Sequence, residues 1–213
     1  AIANYMTLLG WSPPEGMSEI FSMAEAAQKF GFERVNKAGA KFDWDKLNWL
    51  NSQYLHAMPI DQLTDLLIPY WQAAGYEFDL QDRAWLEQLT ALLAASLVRL
   101  DDAVAMSKYL FVADVGFTEE ATVQLKQDNV ATVLQGIIAA LEATPTVTEA
   151  NVQEVIQAGV KAAGVKKGVA MRSLRAALTG DMHGPDLVQS WLLLNQHHLD
   201  LPRLKQALAV SLG

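Results

Sequence analysis

Apolar residues recur at helical spacing along almost the whole chain, and no alternating β-branched run reaches the length of an ordinary strand. That pattern restricts the fold to an all-α one, built as a string of short-looped helices. The first ten residues already read as a helix, with Ile2, Tyr5, Met6, Leu8 and Leu9 apolar. A chain that opens on alanine inside a helical pattern reads as a piece of a longer protein. Asp43 is placed to cap a helix to about Met58, with Leu47, Leu50, Tyr54 and Leu55 on one face and Pro59 as its stop. A helix from Asp61 to Ala74 carries the stripe Leu63, Leu66, Leu67, Tyr70 and Trp71. The next opens at Asp79 or Asp82 and runs to about Val98, and Asp101 caps one to Phe111. Thr118 with Glu119 and Glu120 suits another helix start. Further helices are expected over 129–143, 149–163 and 169–178, with Pro185 and Pro202 as first residues of the last two.

Two joints stand out, one at Pro59 and one at Thr144-Pro145. They suggest a segment 1–62 followed by helical units 63–143 and 144–213, arranged as an elongated molecule.

Most catalytic classes find no support. Cysteine is absent, which removes disulfides, thiolate zinc sites and cysteine nucleophiles and fits a reducing compartment. His197 and His198 are adjacent, so on a helix they point apart and cannot grip one ion; no metal site is expected. No serine elbow, Walker loop or dinucleotide fingerprint occurs, and no catalytic residue is assigned. No apolar run reaches the ~18 uncharged residues a membrane span needs.

The balance of 16 basic against 24 acidic residues gives a net charge of −8 and argues against non-specific nucleic-acid binding, DNA included. One window departs from it. From Val155 to Gly180 there are five basic residues, Lys161, Lys166, Lys167, Arg172 and Arg175, and no acidic one. Lys166 and Lys167 lie at a helix start, where phosphate is well received. Arg172 and Arg175 are three apart and share a face, and arginine can stack on a base or fork onto its edge. A solvated basic face is the competing reading. Trp44, Trp49 and Tyr54 are spaced five apart, so they cannot all join one core stripe; stacking on bases and packing between helices both remain open.

Three stretches resemble one family. LLGWSPPEG (residues 8–16, after Asn4-Tyr5) is similar to the segment after the second ATP-site signature of bacterial glutamyl-tRNA synthetases. Phe32-Glu33-Arg34-Val35-Asn36-Lys37, with Phe42-Asp43 and Lys46-Leu47-Asn48-Trp49-Leu50-Asn51, resembles their stem-contact region. Leu174-Arg175-Ala176-Ala177-Leu178-Thr179-Gly180 with His183-Gly184-Pro185-Asp186-Leu187 resembles their anticodon-binding end. The stretches come in family order and span essentially the whole chain.

The resemblance implies a helical stem-contact region and two helical anticodon-binding subdomains, in a monomeric cytoplasmic protein that binds tRNA-Glu, with tRNA-Gln as a second candidate. Neither the HIGH nor the KMSKS string occurs in these 213 residues. ATP and magnesium would therefore belong to a catalytic domain elsewhere, and this portion alone should not activate glutamate. On the family's pattern Arg175 lies beside the anticodon bases, and Pro185 and Leu187 pack on the first two of them. An arginine that reads the third base falls near Ser96 by gapless counting, with Arg99 three residues away. Arg172 would join the anticodon site. Lys37, Lys46, Lys161, Lys166 and Lys167 would hold phosphate or stem. Many members carry a basic residue after Thr-Gly, where this chain has Asp181 and Met182. A protein–protein scaffold with an acidic surface and a small-molecule enzyme in a helical bundle are the alternatives from other classes.

Overall fold

The computed structural model describes residues 1–37 and 39–213. Among them are twelve α-helices: α1 (Ile2–Gly10), α2 (Met23–Lys29), α3 (Trp44–His56), α4 (Ile60–Ala73), α5 (Arg83–Ala94), α6 (Asp102–Phe111), α7 (Glu119–Leu125), α8 (Val130–Ala143), α9 (Val152–Ala163), α10 (Lys167–Thr179), α11 (Leu187–Gln196) and α12 (Asp200–Leu212). Phe32–Arg34 forms one 3₁₀ turn. The only extended pairing among the described residues is the antiparallel bridge between Trp11 and Val35. Among the described residues, no helix is long and apolar enough to cross a membrane.

The N-terminal segment has its own small core of Trp11, Phe21 and Ala26, with Leu8 and Met17 against it. Ser22 and Glu25 close a reciprocal capping box at the start of α2. Asp43 caps α3 through the N–H groups of Asp45 and Lys46, and its own N–H donates to the Tyr5 hydroxyl at 2.6 Å. Trp44 and Trp49 are exposed, whereas the Tyr54 hydroxyl reaches Asn4 Oδ1 and the Phe21 carbonyl, both at 2.9 Å. The three aromatics thus do leave one face, as their spacing required.

The second core runs from Leu55 to Ala207. Trp71, Trp85 and Trp191 are its largest apolar side chains, all at or below 1% exposure. Each fully buried leucine of this core contributes roughly 1.5–3 kcal/mol of transfer free energy. Helices α4, α5 and α6 pack on one another, and α7, α8, α9, α10 and α12 form a second group, with α11 lying against α5, α6 and α12. The Thr144-Pro145 break is a turn between α8 and α9, which pack on each other. Their backbones approach so closely at Gly159 that a Cβ there would sit 2.7 Å from the Val133 carbonyl oxygen. One continuous core thus runs across the 143/144 joint, with α8 and α9 packed on each other on either side of it.

Several helix ends differ from the sequence reading. α5 stops at Ala94, and the chain turns so that the Asp102 carboxylate accepts from the Val98 and Arg99 N–H groups at 3.2 and 2.7 Å. Asp102, not Asp101, therefore satisfies the backbone ahead of α6. Pro185 is not the first residue of α11. Asp186 takes the cap by accepting from Gln189 N–H at 2.9 Å, and Pro185 stays outside the helix. Pro202 is the third residue of α12, still within the first turn where no N–H is needed. α9 begins at Val152 because Asn151 folds back, accepting from Thr148 N–H and donating to the Thr146 carbonyl.

Candidate nucleic-acid interface

The turn between α10 and α11 is built by short-range polar contacts. α10 ends on Gly180, whose φ of +73° is left-handed. Its carbonyl accepts from Thr118 N–H at 2.9 Å, which ties the turn to the start of α7. The Thr179 hydroxyl lies 2.8 Å from the Arg175 carbonyl and accepts from Asp181 N–H. The Asp181 carboxylate accepts from His183 N–H at 3.0 Å. Asp181 thus organises the turn itself, at the position where a basic residue is common in the resembling family. The Arg175 guanidinium spans the loop: Nη2 donates to the Pro185 carbonyl at 3.0 Å. Its Nη1 is buried and meets no acceptor among the described residues.

A concavity lies on either side of this turn. The smaller, about 480 Å³, is lined by Met171, Arg172, Arg175, Met182, His183 and Leu187, with Glu120 at its edge. The larger, about 810 Å³, opens between α6 and the turn, where Ser96, Lys108, Tyr109, Thr179 and Pro185 contribute. Both fall within the size range of ordinary ligand clefts. The first combines two arginines with apolar methionine and leucine surface. That arrangement suits a flat, unstacked ring held by packing and read at its edge by a planar donor.

The structure brings Arg172, Arg175 and Leu187 to one cavity and Pro185 to the other, linked through the Arg175–Pro185 hydrogen bond. Lys166 occupies the cap position of α10 and Lys167 its first residue. Lys167 Nζ donates to Gln153 Oε1 on α9 at 2.5 Å. Lys161 is exposed on α9. Arg99 does not face the larger cavity. Asp101 holds it with two hydrogen bonds of 2.9 and 2.6 Å, while Ser96 lines the cavity in its place.

The remaining lysines belong to the N-terminal segment. Lys46 pairs with Glu19 and lies 4.3 Å from the centroid of the Trp49 ring. Lys37 is exposed just beyond the Trp11–Val35 pairing. That pairing is held by Asn36 N–H to the Gly10 carbonyl and Ser12 N–H to the Arg34 carbonyl. It joins two of the three stretches that carry the resemblance.

Residues without an assigned role in the sequence reading complete the larger cavity. The Tyr109 hydroxyl, on α6, lies 2.7 Å from Ser190 Oγ, and Ser190 Oγ donates to the Asp186 carbonyl at 2.6 Å. Burial pushes the Tyr109 phenol above its ordinary value. Behind the wall lies Arg203, fully buried, its Nη1 donating to the Leu178 carbonyl at 2.7 Å and its Nη2 to those of Tyr109 and Val112. Burial lowers its pKa to about 10, which leaves it charged at neutral pH. The signal was present: Arg203 is four residues before Ala207 on the buried stripe of α12, where a charge needs buried partners.

Residues 62–208 match the model of the anticodon binding domain family. The glutamate–tRNA ligase of Trichormus variabilis is 64% identical over 99% of this chain, and that of Nostoc punctiforme is 62% identical over 97%. The chain spans 44% and 43% of those two proteins. Among solved structures, a glutamate tRNA ligase from Elizabethkingia meningosepticum in complex with its amino acid superposes with a TM-score of 0.86 at 25% identity. That likeness covers 98% of this chain and 40% of the other. Glutamate-tRNA synthetase from Elizabethkingia anophelis gives 0.81 at 26% identity. With the match over 62–208 and these likenesses along its whole length, the chain belongs to the anticodon-binding domain family, in the form carried by glutamate–tRNA ligases.

Proposed function

We propose that this chain is the tRNA-recognition portion of a glutamate–tRNA ligase. The observation that carries the reading is the α10–α11 turn, where Arg175 is clamped to Pro185 between two concavities and a basic helix face leads up to it. Arg175 with Arg172, Pro185 and Leu187 holds anticodon bases. Lys161, Lys166 and Lys167 hold backbone phosphate near them. Lys37 and Lys46, on the 1–62 segment with its separate core, serve the stem. Arg99, paired to Asp101, is the weakest member of the set, and Ser96 faces the base position instead. The RNA is tRNA-Glu, with tRNA-Gln as the competing substrate, and the protein acts as a cytoplasmic monomer with no DNA or membrane role. ATP-dependent glutamate activation belongs to the rest of such a ligase.

Binding of labelled tRNA-Glu across a salt series tests this. Affinity should fall linearly on a log–log plot as phosphate contacts release counterions. A free mononucleotide should compete poorly. Affinity indifferent to salt, or full competition by the mononucleotide, would contradict the reading.

A further inference from the structure

The large cavity has two walls, and between them run residues 112–118, where Thr118 N–H donates to the Gly180 carbonyl. One is the C-terminal end of α6, with Tyr109 and Val112; the other is the C-terminal end of α10, with Thr179 and Gly180. Helix ends leave orphan carbonyls carrying partial negative charge. Arg203, from α12, enters between them. It donates to the Leu178 carbonyl on one wall and to the Tyr109 and Val112 carbonyls on the other. No carboxylate forms an ion pair with it among the described residues; Asp200 and Asp114 act on it only from a distance, and its hydrogen bonds all go to the two helix ends. A second tie runs in front, from the Tyr109 hydroxyl through Ser190 to the Asp186 carbonyl.

We infer that Arg203 is a positioning residue for anticodon choice, fixing the separation of α6 from the α10–α11 turn and thereby the width of the cavity that Pro185 lines. This rests on the reading of that cavity as a base-binding site. Arg203 touches no base. It acts through Tyr109 on one side and through Leu178, whose next residues begin the turn, on the other. A guanidinium can reach all three carbonyls at once because its donors diverge in one plane, whereas an ammonium presents a single point. Methionine would fill similar space without the desolvation cost of the charge, but it would leave the three carbonyls without this donor. The arginine therefore holds the two helix ends in one geometry as well as satisfying them.

The test compares the 213-residue chain with Arg203→Met, Arg203→Lys and the core truncation Leu141→Ala, which touches none of these carbonyls. Binding is measured for tRNA-Glu and for the same tRNA with one altered anticodon base, well below each variant's melting temperature. Arg203→Met should narrow the cognate-to-altered ratio by about tenfold. Arg203→Lys should recover part of it. Leu141→Ala should lower the melting temperature and leave the ratio alone. If Arg203→Met does not fold, Arg203→Lys carries the test through its own narrowed ratio. A wild-type chain that does not distinguish the two RNAs overturns the base-site reading itself. A wild-type chain that discriminates, with folded Arg203 variants that keep its full ratio, overturns this inference alone.

Discussion

Arg175 and Pro185 are ten residues apart in sequence, yet the arginine Nη2 donates to the proline carbonyl at 3.0 Å. The bond closes the α10–α11 turn from inside. It leaves the guanidinium face and Nη1 beside Arg172, Met182 and Leu187. A side chain whose rotamer is locked by one hydrogen bond loses less entropy when another group of the same fork meets a ligand. Two consequences for stability and one for recognition follow from the surrounding geometry, and a third for stability from the N-terminal segment.

Gly180 and Gly164 both end helices at positive φ, but only Gly180 is crowded. A Cβ at Gly180 would sit 2.2 Å from the Gly116 carbonyl oxygen, while at Gly164 it would meet nothing. Asparagine tolerates left-handed backbone, so Gly164→Asn should cost little. Gly180→Asn should cost more than the roughly 1–3 kcal/mol of backbone strain alone, because the turn must also move away from Val115 and Gly116. Thermal unfolding of the two variants side by side checks this.

Asp186 caps α11 by accepting from Gln189 N–H at 2.9 Å. Asp186→Ala should destabilise by about 1 kcal/mol, and Asp186→Asn by much less, since asparagine caps nearly as well. Denaturant midpoints with an unchanged slope would verify the difference.

Glu25 closes the capping box of α2. The Ser22 backbone N–H, then its hydroxyl, hold the Glu25 carboxyl below its ordinary value, against a smaller opposing effect of burial. A depressed carboxylate stabilises the folded state fully above its unfolded value, and that contribution is lost as pH falls through the folded value. Acidification should therefore loosen the N-terminal segment. In Glu25→Gln the carboxyl titration vanishes, and that acid-dependent part should vanish with it. A proton titration of Glu25 followed by NMR, with the variant's pH–stability curve, tests both statements.

Periodicity and helix punctuation made the all-α class legible, since Pro59, Gly164 and Gly180 mark real ends. Places where side chains compete for the same backbone groups were less legible. Asp101 and Asp102 look equivalent as caps, and only the fold shows that Asp102 takes the N–H groups while Asp101 takes Arg99. Arg172, Arg175 and Leu187 line one cavity because the first two share a face of α10 and the third opens the helix after the turn. Arg203's place on the buried stripe of α12 was legible, but its partners were not: they are carbonyls of Leu178, Tyr109 and Val112, and backbone atoms leave no trace in a residue pattern. The Thr144-Pro145 break carries a related limit: a proline marks a turn, and whether the helices on its two sides pack together depends on their faces.

The most direct test of the account is the ratio of affinities for tRNA-Glu and for the same tRNA with an altered anticodon, measured in Arg175→Ala and Lys167→Ala. Arginine's fork reads one base edge, and losing such a contact costs about 1–3 kcal/mol of discrimination. Lysine is a point charge that holds phosphate whatever the sequence. Arg175→Ala should therefore weaken the cognate RNA far more than the altered one. Lys167→Ala should weaken both alike and reduce the salt slope by about 1. An unchanged ratio in Arg175→Ala together with a collapsed ratio in Lys167→Ala would contradict the assignment of reader and clamp.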